Sequence, residues 1–439
     1  MKKNVIYSYL ERSESVYSAR ADRDIEINRK GNFELILRDK NGEIIKNARV
    51  SVKLDDLDFN FGANIFMLGE YKDEEKNRLY EEKFLNIFNS ASIPLYWGGT
   101  EPRQNYLRYT EDTPRDVFRR PPLDTVIKFC KEHGLKMKGH PLYWHEFVPN
   151  WLPERFEDVL PLLAKRFDEI SSHCGFDVER FDVVNEPSRI YQVHMRDRRN
   201  GRFHHVPPDD YCIRLFEMAR RYFPANTLIL NDTVGASFTD FRGKYSGYYL
   251  NIKDLLSRGC QIDEIGMQCH LGPEGPENVY DSEILYDILD TYACLGLPMN
   301  ISEISIPSRF AHGVDEELQA LAAERLYKVC FSHKSVTGLT WWNMPDDGIL
   351  VSNRKAGFEN LPSAGLIDYD YNEKKAYKVL KNLIKNQWTT NLSFAAPEGV
   401  ARFNGFYGDY TMTVEYGDTT VTKKLRLDIN GSKVRSITV

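Results

Sequence analysis

Short apolar runs alternate with longer amphipathic stretches through the middle of the chain, from about residue 59 to residue 390. Eight runs have β-strand character, and amphipathic stretches such as LDTVIKFCKEHG or ELQALAAERLYKVCF follow them with the apolar spacing of a helix. This alternation is typical of βα units around a parallel sheet, so it predicts a (β/α)8 barrel. The eight runs are FNFGANI, ASIPLYW, LKMKGHPLYW, RFDVVNE, TLILND, EIGMQCH, PMNISE and TGLTWWN.

The two ends of the chain have a different pattern, in which short strands are separated by turn residues. From about Ile25 to Phe61 the candidate strands are DIEIN, FELILRD, ARVSVKL and LDFNFG, and the last fifty or so residues contain LSFAAP, GVARFNG, YGDYTMTVEYGD, TTVTKKLRLDINGS and VRSITV. Each end has only a few short strands and little core of its own, so we expect the two to pair in one accessory β-sandwich. The predicted division is an N-terminal β segment (1–58), the barrel (59–390) and a C-terminal β segment (391–439).

Composition fits a large globular protein and excludes several other classes. The chain has 439 residues, a formal net charge of −6 and 42% hydrophobic residues, which indicates no nucleic-acid partner and no disorder. No apolar run approaches the length of a membrane span, and the first residues do not resemble a signal peptide, so no membrane partner is expected. Seven cysteines without a CxxC pair favour reduced thiols, and we expect a cytoplasmic location.

The residues that close the predicted strands are unusually polar. In a (β/α)8 barrel, chemistry collects at the carboxyl ends of the strands, so these side chains are predicted to converge. Two of them are glutamates, Glu186 and Glu303, at the ends of strands four and seven. The others are His140 with Trp144 and His145, Asn185, Asn231 and Asp232, Gln268 and His270, and Trp341 with Trp342 and Asn343.

A pair of carboxyl groups among aromatic rings suits glycoside hydrolysis, in which one acid protonates the leaving oxygen and the other meets the oxocarbenium-like centre. Trp144, Trp341 and Trp342 are candidates to stack on sugar faces. Core packing is an equal alternative for Trp341, because it and its neighbour point to opposite sides of the strand.

Five segments, in order along the chain, resemble the signatures of glycoside hydrolase family 10, a xylanase family with a retaining (β/α)8 barrel. They are KGHPLYWH, FDVVNEP, DEIGMQCHL, MNISEISI and GLTWWNMPDD, and the resemblance covers about Phe59 to Ile384. It implies that Glu186 is the acid/base and Glu303 the nucleophile, about 5 to 5.5 Å apart. It also implies that the sugar is held, or the nucleophile oriented, by His140, Trp144, Asn185, Gln268 and His270, and we add Trp342 to the substrate-binding residues.

The chain departs from that family on both sides of the predicted site. Members usually carry Glu-Asn-x-Met-Lys-Trp after strand two, whereas this chain has FNSASIPLYWGGTEP, which keeps Trp97 and Glu101 but not the polar side chains that grip sugars. The family's tryptophan after strand eight is replaced near Leu350. The connection after strand four is rich in arginine and histidine, and is either a solvated loop or a wall for an acidic leaving group. Its charged residues are Arg189, His194, Arg196, Arg198, Arg199, Arg202, His204 and His205.

These observations predict a retaining β-glycoside hydrolase without a cofactor or metal. Its expected substrates are oligosaccharides derived from xylan or other short, decorated β-glycosides, with plain xylan a poor substrate. Two alternatives stay open: a non-catalytic carbohydrate-binding protein on a glycosidase scaffold, and a metal-dependent barrel hydrolase using residues such as His140, His270 and Asp232. Strand one lacks the His-x-His of many metal-dependent barrels, and the sequence leaves the sugar, the linkage, endo or exo cleavage and the oligomeric state open.

Overall fold

A computed structural model describes residues 3–12, 14–110, 121–189, 207–272, 277–310, 313–346 and 363–439. Its first strands are β1 (Lys30–Arg38), β2 (Ala48–Leu57), β3 (Asn60–Asn64), β4 (Ser90–Pro94), β5 (Lys136–His140), β6 (Arg180–Asn185), β7 (Thr227–Asp232), β8 (Glu264–His270) and β9 (Met299–Ser305). They are followed by β10 (Arg309–Phe310), β11 (Gly313–Val314), β12 (Val336–Trp341), β13 (Asn391–Ala396), β14 (Val400–Phe406), β15 (Gly408–Tyr416), β16 (Thr419–Leu427) and β17 (Val434–Thr438).

Helices alternate with these strands through the middle of the chain. They are α1 (Lys3–Glu11), α2 (Glu14–Arg29), α3 (Glu74–Leu85), α4 (Trp97–Thr100), α5 (Leu123–Glu132), α6 (Phe156–Cys174), α7 (Tyr211–Tyr222), α8 (Gly247–Ser257), α9 (Ser282–Ala293), α10 (Glu316–Ser332) and α11 (Lys375–Lys381). The start of α3, α9 and α10 is fixed by aspartates whose side chains accept a backbone N–H of the first turn: Asp73, Asp281 and Asp315. Within the described ranges, none of the helices is both long and apolar enough to cross a membrane.

The predicted barrel is confirmed. Strands β3 to β9 and β12 close in the order β12-β3-β4-β5-β6-β7-β8-β9, and neighbouring strands are parallel throughout. Every residue of β8 and β9 is buried, because the barrel interior covers one face and the surrounding helices cover the other. Each of the eight apolar runs identified in the sequence overlaps one of these strands, so the carboxyl ends that carry the polar residues meet at one rim.

The strands from the two ends of the chain do pair with each other, as predicted. β1 lies between β14 and β17, and β2 lies between β13 and β15, so both N-terminal strands have only C-terminal neighbours. Phe403 of β14 contacts Phe394 of β13 and Tyr410 of β15, which joins the two sheets through their apolar faces. The fold is therefore a (β/α)8 barrel with additional sheets built from both termini.

One strand prediction was wrong. The run DIEIN lies in the helix α2, which extends to Arg29. Its apolar residues alternate over only a few positions, whereas Ala21 and Ile25 are one helical turn apart and are both buried. The N-terminal segment thus contributes two helices as well as strands, and the boundaries 1–58, 59–390 and 391–439 stay a prediction.

Arg29, the last residue of α2, fixes this helix to the amino-terminal end of the barrel. Its guanidinium donates hydrogen bonds to the backbone oxygens of Phe331, His333 and Val336. Burial lowers the pKa of Arg29 to about 10, so the side chain is still charged at neutral pH. A charged donor therefore satisfies three backbone acceptors at the point where α10 turns into β12.

Candidate active site

The carboxyl ends of the barrel strands bring all the predicted site residues to one buried cluster. Strand β5 ends at His140, β6 at Asn185 and β8 at His270, while Glu186 follows β6 directly. Between none and 6% of the surface of each of these residues is exposed: His140, Trp144, Asn185, Glu186, Gln268, His270, Glu303 and Trp342. Charged groups at such depth need partners, and their partners define what the site can do.

Gln268 joins the two carboxylates. Its Nε2 lies 3.1 Å from Oε1 of Glu186 and 3.1 Å from Oε1 of Glu303, so these two oxygens are at most twice that distance apart. This limit lies below the roughly 6.5 to 9.5 Å found in inverting glycosidases, and it includes the roughly 5 to 5.5 Å found in retaining ones. Gln268 reaches both because it is the direct β-sheet partner of Glu303, across the bulge between β8 and β9.

Glu303 is surrounded by donors that favour its ionised form. Besides Gln268, its Oε1 accepts a hydrogen bond of 2.9 Å from Asn231, and its Oε2 is 3.1 Å from Nε2 of His270. Burial acts to raise the pKa of Glu303, but the nearby charges of His140, His270 and Lys138 and the bond to His270 lower it below its ordinary value. The side chain is therefore a carboxylate at neutral pH, as a nucleophile must be.

His140 is oriented by a buried ion pair. Its Nδ1 is 2.7 Å from Oδ2 of Asp182, and Nζ of Lys138 lies 2.9 Å from the same oxygen. Burial acts to raise the pKa of Asp182, but the nearby Lys138 and His140 lower it below its ordinary value. The aspartate is therefore ionised and accepts a hydrogen bond from Nδ1–H of His140. The other ring nitrogen, Nε2, then faces Glu303 at 3.8 Å. Lys138 and Asp182 were not assigned to the site from the sequence.

Glu186 has a backbone conformation that is unusual for a residue with a side chain. Its φ of 56° lies in the left-handed region, which costs about 1 to 3 kcal/mol and persists only where the surroundings enforce it. Its N–H donates to the backbone oxygen of Asn231 at 2.8 Å, and Ser188 in the same turn donates to both oxygens of Asp232. The turn therefore fixes where the Glu186 carboxyl enters the site.

Asn185 belongs to an amide network beneath the two carboxylates. Its Oδ1 accepts hydrogen bonds from Asn231 at 2.8 Å and from Gln268 at 3.3 Å, and Ser302 donates to Oδ1 of Asn231. Asn231 therefore links Glu303, Asn185 and Ser302. In the sequence it was visible only as a polar residue at the end of a strand, without a specific role.

One flank of the site is a wall of aromatic rings. Tyr96 contacts His140, Trp144 and Phe147 with ring centroids 5.5 to 6.0 Å apart. Trp342 contacts His140 edge to face at 5.2 Å, whereas Trp341 lies in the barrel core and donates to the backbone oxygen of Ala364. Among the described residues, Nε1 of Trp144 is buried without a hydrogen-bond partner, so it is placed to donate a hydrogen bond to a sugar hydroxyl.

Two residues retained after β4 are occupied inside the protein. Nε1 of Trp97 donates to Oε2 of Glu101 at 2.9 Å, and the backbone N–H of Asn105 donates to its Oε1 at 2.8 Å. Both carboxylate oxygens of Glu101 therefore already accept a hydrogen bond from within the protein. Several residues noted in the sequence lie outside the described part of the chain: His194, Arg196, Arg198, Arg199, Arg202, His204, His205 and Leu350.

The described residues contain no group of three or more histidine, cysteine, aspartate and glutamate side chains arranged to hold a metal ion. The site that they form consists of two carboxylates, two imidazoles, amide donors and indole rings. Such a set can attack an anomeric carbon, protonate a leaving oxygen and hold a sugar through its hydroxyls and its apolar face.

Comparison with known proteins gives a family match. The sequence model of Glycosyl hydrolase family 10 matches residues 95–383, a range that begins directly after β4. Endo-1,4-beta-xylanase B of Thermotoga neapolitana is 25% identical over 337 residues, covering 75% of this chain and 88% of that protein.

Two further proteins are similar to this chain. The anti-sigma-I factor RsgI6 of Acetivibrio thermocellus is 25% identical over 394 residues, which are 88% of this chain but only 45% of that protein. Xylanase 10B from Thermotoga petrophila RKU-1, solved in complex with xylobiose, has a TM-score of 0.58 and 24% identity over 75% of this chain and 95% of that one. The structural likeness supports the barrel fold.

Proposed function

Since the chain belongs to glycosyl hydrolase family 10, and is by that membership a glycosyl hydrolase, we propose that it cleaves β-glycosides by double displacement with retention of configuration. The observation that carries this proposal is the position of Gln268, whose Nε2 lies 3.1 Å from a carboxyl oxygen of both Glu186 and Glu303. That upper limit on the spacing is shorter than the roughly 6.5 to 9.5 Å of inverting glycosidases, so it suits direct attack by one carboxylate.

In the first step the Glu303 carboxylate attacks the anomeric carbon, and the bond from that carbon to the leaving oxygen breaks. Glu186 gives its proton to the departing oxygen, and the sugar becomes an ester of Glu303. In the second step water attacks the same carbon, Glu186 accepts a proton from that water, and the bond to Glu303 breaks. The sugar leaves with its original configuration, and both side chains return to their starting states.

The surrounding residues are proposed to hold the sugar during these steps. His270, Asn231 and Gln268 fix the Glu303 carboxylate for attack, as their contacts indicate. His140 and Asn185 are buried beside Glu303, and we assign their polar atoms to hydrogen bonds with sugar hydroxyls. Trp144 offers a buried N–H, and the ring of Trp342 is assigned to the apolar face of the sugar.

For the substrate, we propose xylan-derived oligosaccharides or other short, decorated β-glycosides rather than plain xylan. The support lies at the end of β4 and just after it, where the family's sugar-gripping residues are replaced by Ile93, Pro94, Leu95 and Tyr96. Ile93 and Leu95 are fully buried and apolar, and the Tyr96 ring packs within the aromatic wall. Each sugar hydrogen bond that is lost costs about 1 to 3 kcal/mol, so a long xylose chain is bound weakly on this side.

The two alternatives are not favoured. Family membership and the presence of both carboxylates in one contact network weigh against a non-catalytic binding protein, and the absence of a metal-binding cluster among the described residues gives no support to a metal-dependent hydrolase. A cytoplasmic location stays a proposal. It agrees with seven free cysteines, and fractionation of cells that express the natural protein tests it.

The experiment that tests the proposed roles compares Glu303→Ala and Glu186→Ala on aryl β-xylobiosides with good and poor leaving groups. Glu303→Ala should abolish turnover of both, whereas Glu186→Ala should spare the substrate with the good leaving group, which needs little protonation. Glu132→Ala, which removes an exposed carboxylate of α5, is the matched control. Equal losses in both site variants on both substrates would contradict the assignment of roles, and NMR of the first product anomer tests retention.

A further inference from the structure

Arg189 bridges Glu186 to a second carboxylate. Its Nη1 lies 3.0 Å from Oε2 of Glu186, and its Nη2 lies 3.0 Å from Oε1 of Glu146. The two glutamate side chains are 5% and 7% exposed, whereas the arginine side chain is 37% exposed. Arg189 is therefore the member of this trio that a ligand arriving from solvent can reach.

The two oxygens of Glu186 face different parts of the site. Oε1 accepts the hydrogen bond from Gln268, on the side of Glu303, while Oε2 contacts Arg189. In the proposed mechanism the sugar lies between Glu303 and Glu186, and the leaving group extends past Glu186. Arg189 therefore lies on the leaving-group side of the carboxyl that must protonate it.

This contact opposes the first step of the reaction. A guanidinium 3.0 Å from a carboxyl group stabilises its ionised form, whereas a general acid must start with its proton. Arginine also binds a carboxylate through two parallel hydrogen bonds, so an acidic group on the substrate can compete for it. A ligand that takes Arg189 from Glu186 would favour the protonated, active form.

On these contacts, and resting on the proposed function, we infer that Arg189 selects β-glycosides whose leaving group carries a carboxylate. In the free enzyme Arg189 pairs with Glu186. In the complex it pairs with the substrate carboxylate while Glu146 continues to hold it, and Glu186 is released to carry its proton. Arg189 is thus a positioning residue that couples recognition of an acidic leaving group to the protonation of Glu186.

The described residues place three further carboxyl groups near this pair: Glu303, Asp232 and Glu146. Glu303 faces Glu186 through Gln268 and has its own basic neighbours, Lys138, His140 and His270. Asp232 is close enough to Arg189 to feel its charge. Burial raises the pKa of Asp232 to about 6, although hydrogen bonds from Ser188 and Thr233 and the charge of Arg189 act to lower it. Glu146 contacts Arg189 directly, so it is the side chain placed to hold the guanidinium when Glu186 releases it.

The test uses two substrates of nearly equal shape, 4-carboxyphenyl and 4-carbamoylphenyl β-xylobioside, with kcat/KM measured from pH 4 to 9. We expect the parent to prefer the carboxylate by about tenfold, the effect of one charge-assisted pair. Arg189→Met should abolish this preference, and Arg189→Lys should keep part of it. With the neutral amide, Arg189→Met should also move the basic limb of the profile up by about one pH unit, because Glu186 keeps its proton longer.

Glu146→Gln provides a second, opposite readout. Without the charge of Glu146, the guanidinium interacts more strongly with Glu186, so the basic limb on the amide should move to lower pH. This variant carries the test if Arg189→Met does not fold. Equal use of the two substrates by the parent, an unchanged preference in Arg189→Met, or an unmoved basic limb in Glu146→Gln would overturn the inference. Normal turnover by Glu303→Ala would instead overturn the proposed function.

Discussion

Replacement of Gln268 by leucine tests the link between the two carboxylates. During the first step the negative charge moves from Glu303 to Glu186, and Nε2 of Gln268 lies 3.1 Å from an oxygen of each. The same donor therefore stabilises the charge before and after it moves. Leucine has a similar volume but no donor, so the substitution removes the hydrogen bonds with little change in packing.

The expected loss follows from the strength of these bonds. A hydrogen bond to a charged group contributes about 1.5 to 3 kcal/mol, and each 1.36 kcal/mol of transition-state stabilisation is about tenfold in rate. If Gln268→Leu removes the stabilisation that one such bond gives the transition state, kcat/KM should fall by about 10- to 100-fold. The measurement is kcat/KM on an aryl β-xylobioside for the parent and Gln268→Leu at the same pH.

Gln319→Leu is the matched control. Gln319 is a buried glutamine of α10 whose Nε2 also donates two hydrogen bonds, to the backbone oxygens of Ile306 and Gly365, and neither of these acceptors is a catalytic group. It should lower the melting temperature while kcat/KM stays close to the parent value. Parent-like kcat/KM in Gln268→Leu, or an equal fall in the control, would refute the role given to Gln268.

Three further outcomes are expected. His270→Asn should move the acid limb of kcat/KM to higher pH, because His270 helps to lower the pKa of Glu303 and activity is lost as pH falls through that pKa; an unmoved limb would argue against Glu303 as the group that must be ionised. Arg29→Met should lower the free energy of unfolding in urea by about 3 kcal/mol or more by removing three hydrogen bonds from a charged donor to buried backbone oxygens, with kcat unchanged, whereas the exposed control Arg23→Met should change neither. Removal of residues 391–439 should cause aggregation, because β1 and β2 lose all their sheet neighbours, and a soluble truncated protein with the parent melting curve would contradict this.

The barrel could be predicted because its signal is local and repeated. Each strand is a short apolar run that ends in polar residues and precedes an amphipathic helix, so the eight strands and the rim with Glu186 and Glu303 followed from the sequence. The short alternation in DIEIN was ambiguous, because packing of Ala21 and Ile25 against the barrel decides in favour of a helix. Local pattern gives no information about that contact.

The contacts that refine the site join residues far apart in the chain. Arg189 meets Glu146, and Lys138 meets Asp182, because β5 and β6 are paired neighbours in the barrel, a contact that no spacing in the sequence records. Buried charges within a strand also resemble solvent-facing positions when only the pattern is considered. Which of Trp341 and Trp342 packs in the core also depended on which side of the chain at the end of β12 faces inward. The structure places Trp341 in the core.

The central claim, that Glu303 forms a covalent bond with the sugar, can be measured directly. Incubation with 2,4-dinitrophenyl 2-deoxy-2-fluoro-β-xylobioside should trap the intermediate, because the fluorine slows both steps while the good leaving group keeps the first step faster than the second. Mass spectrometry of the intact protein and of its peptides should show one added fluoroglycosyl unit, located on Glu303 and absent from Glu303→Ala. Release of dinitrophenol without any adduct, or an adduct on another residue, would contradict the account.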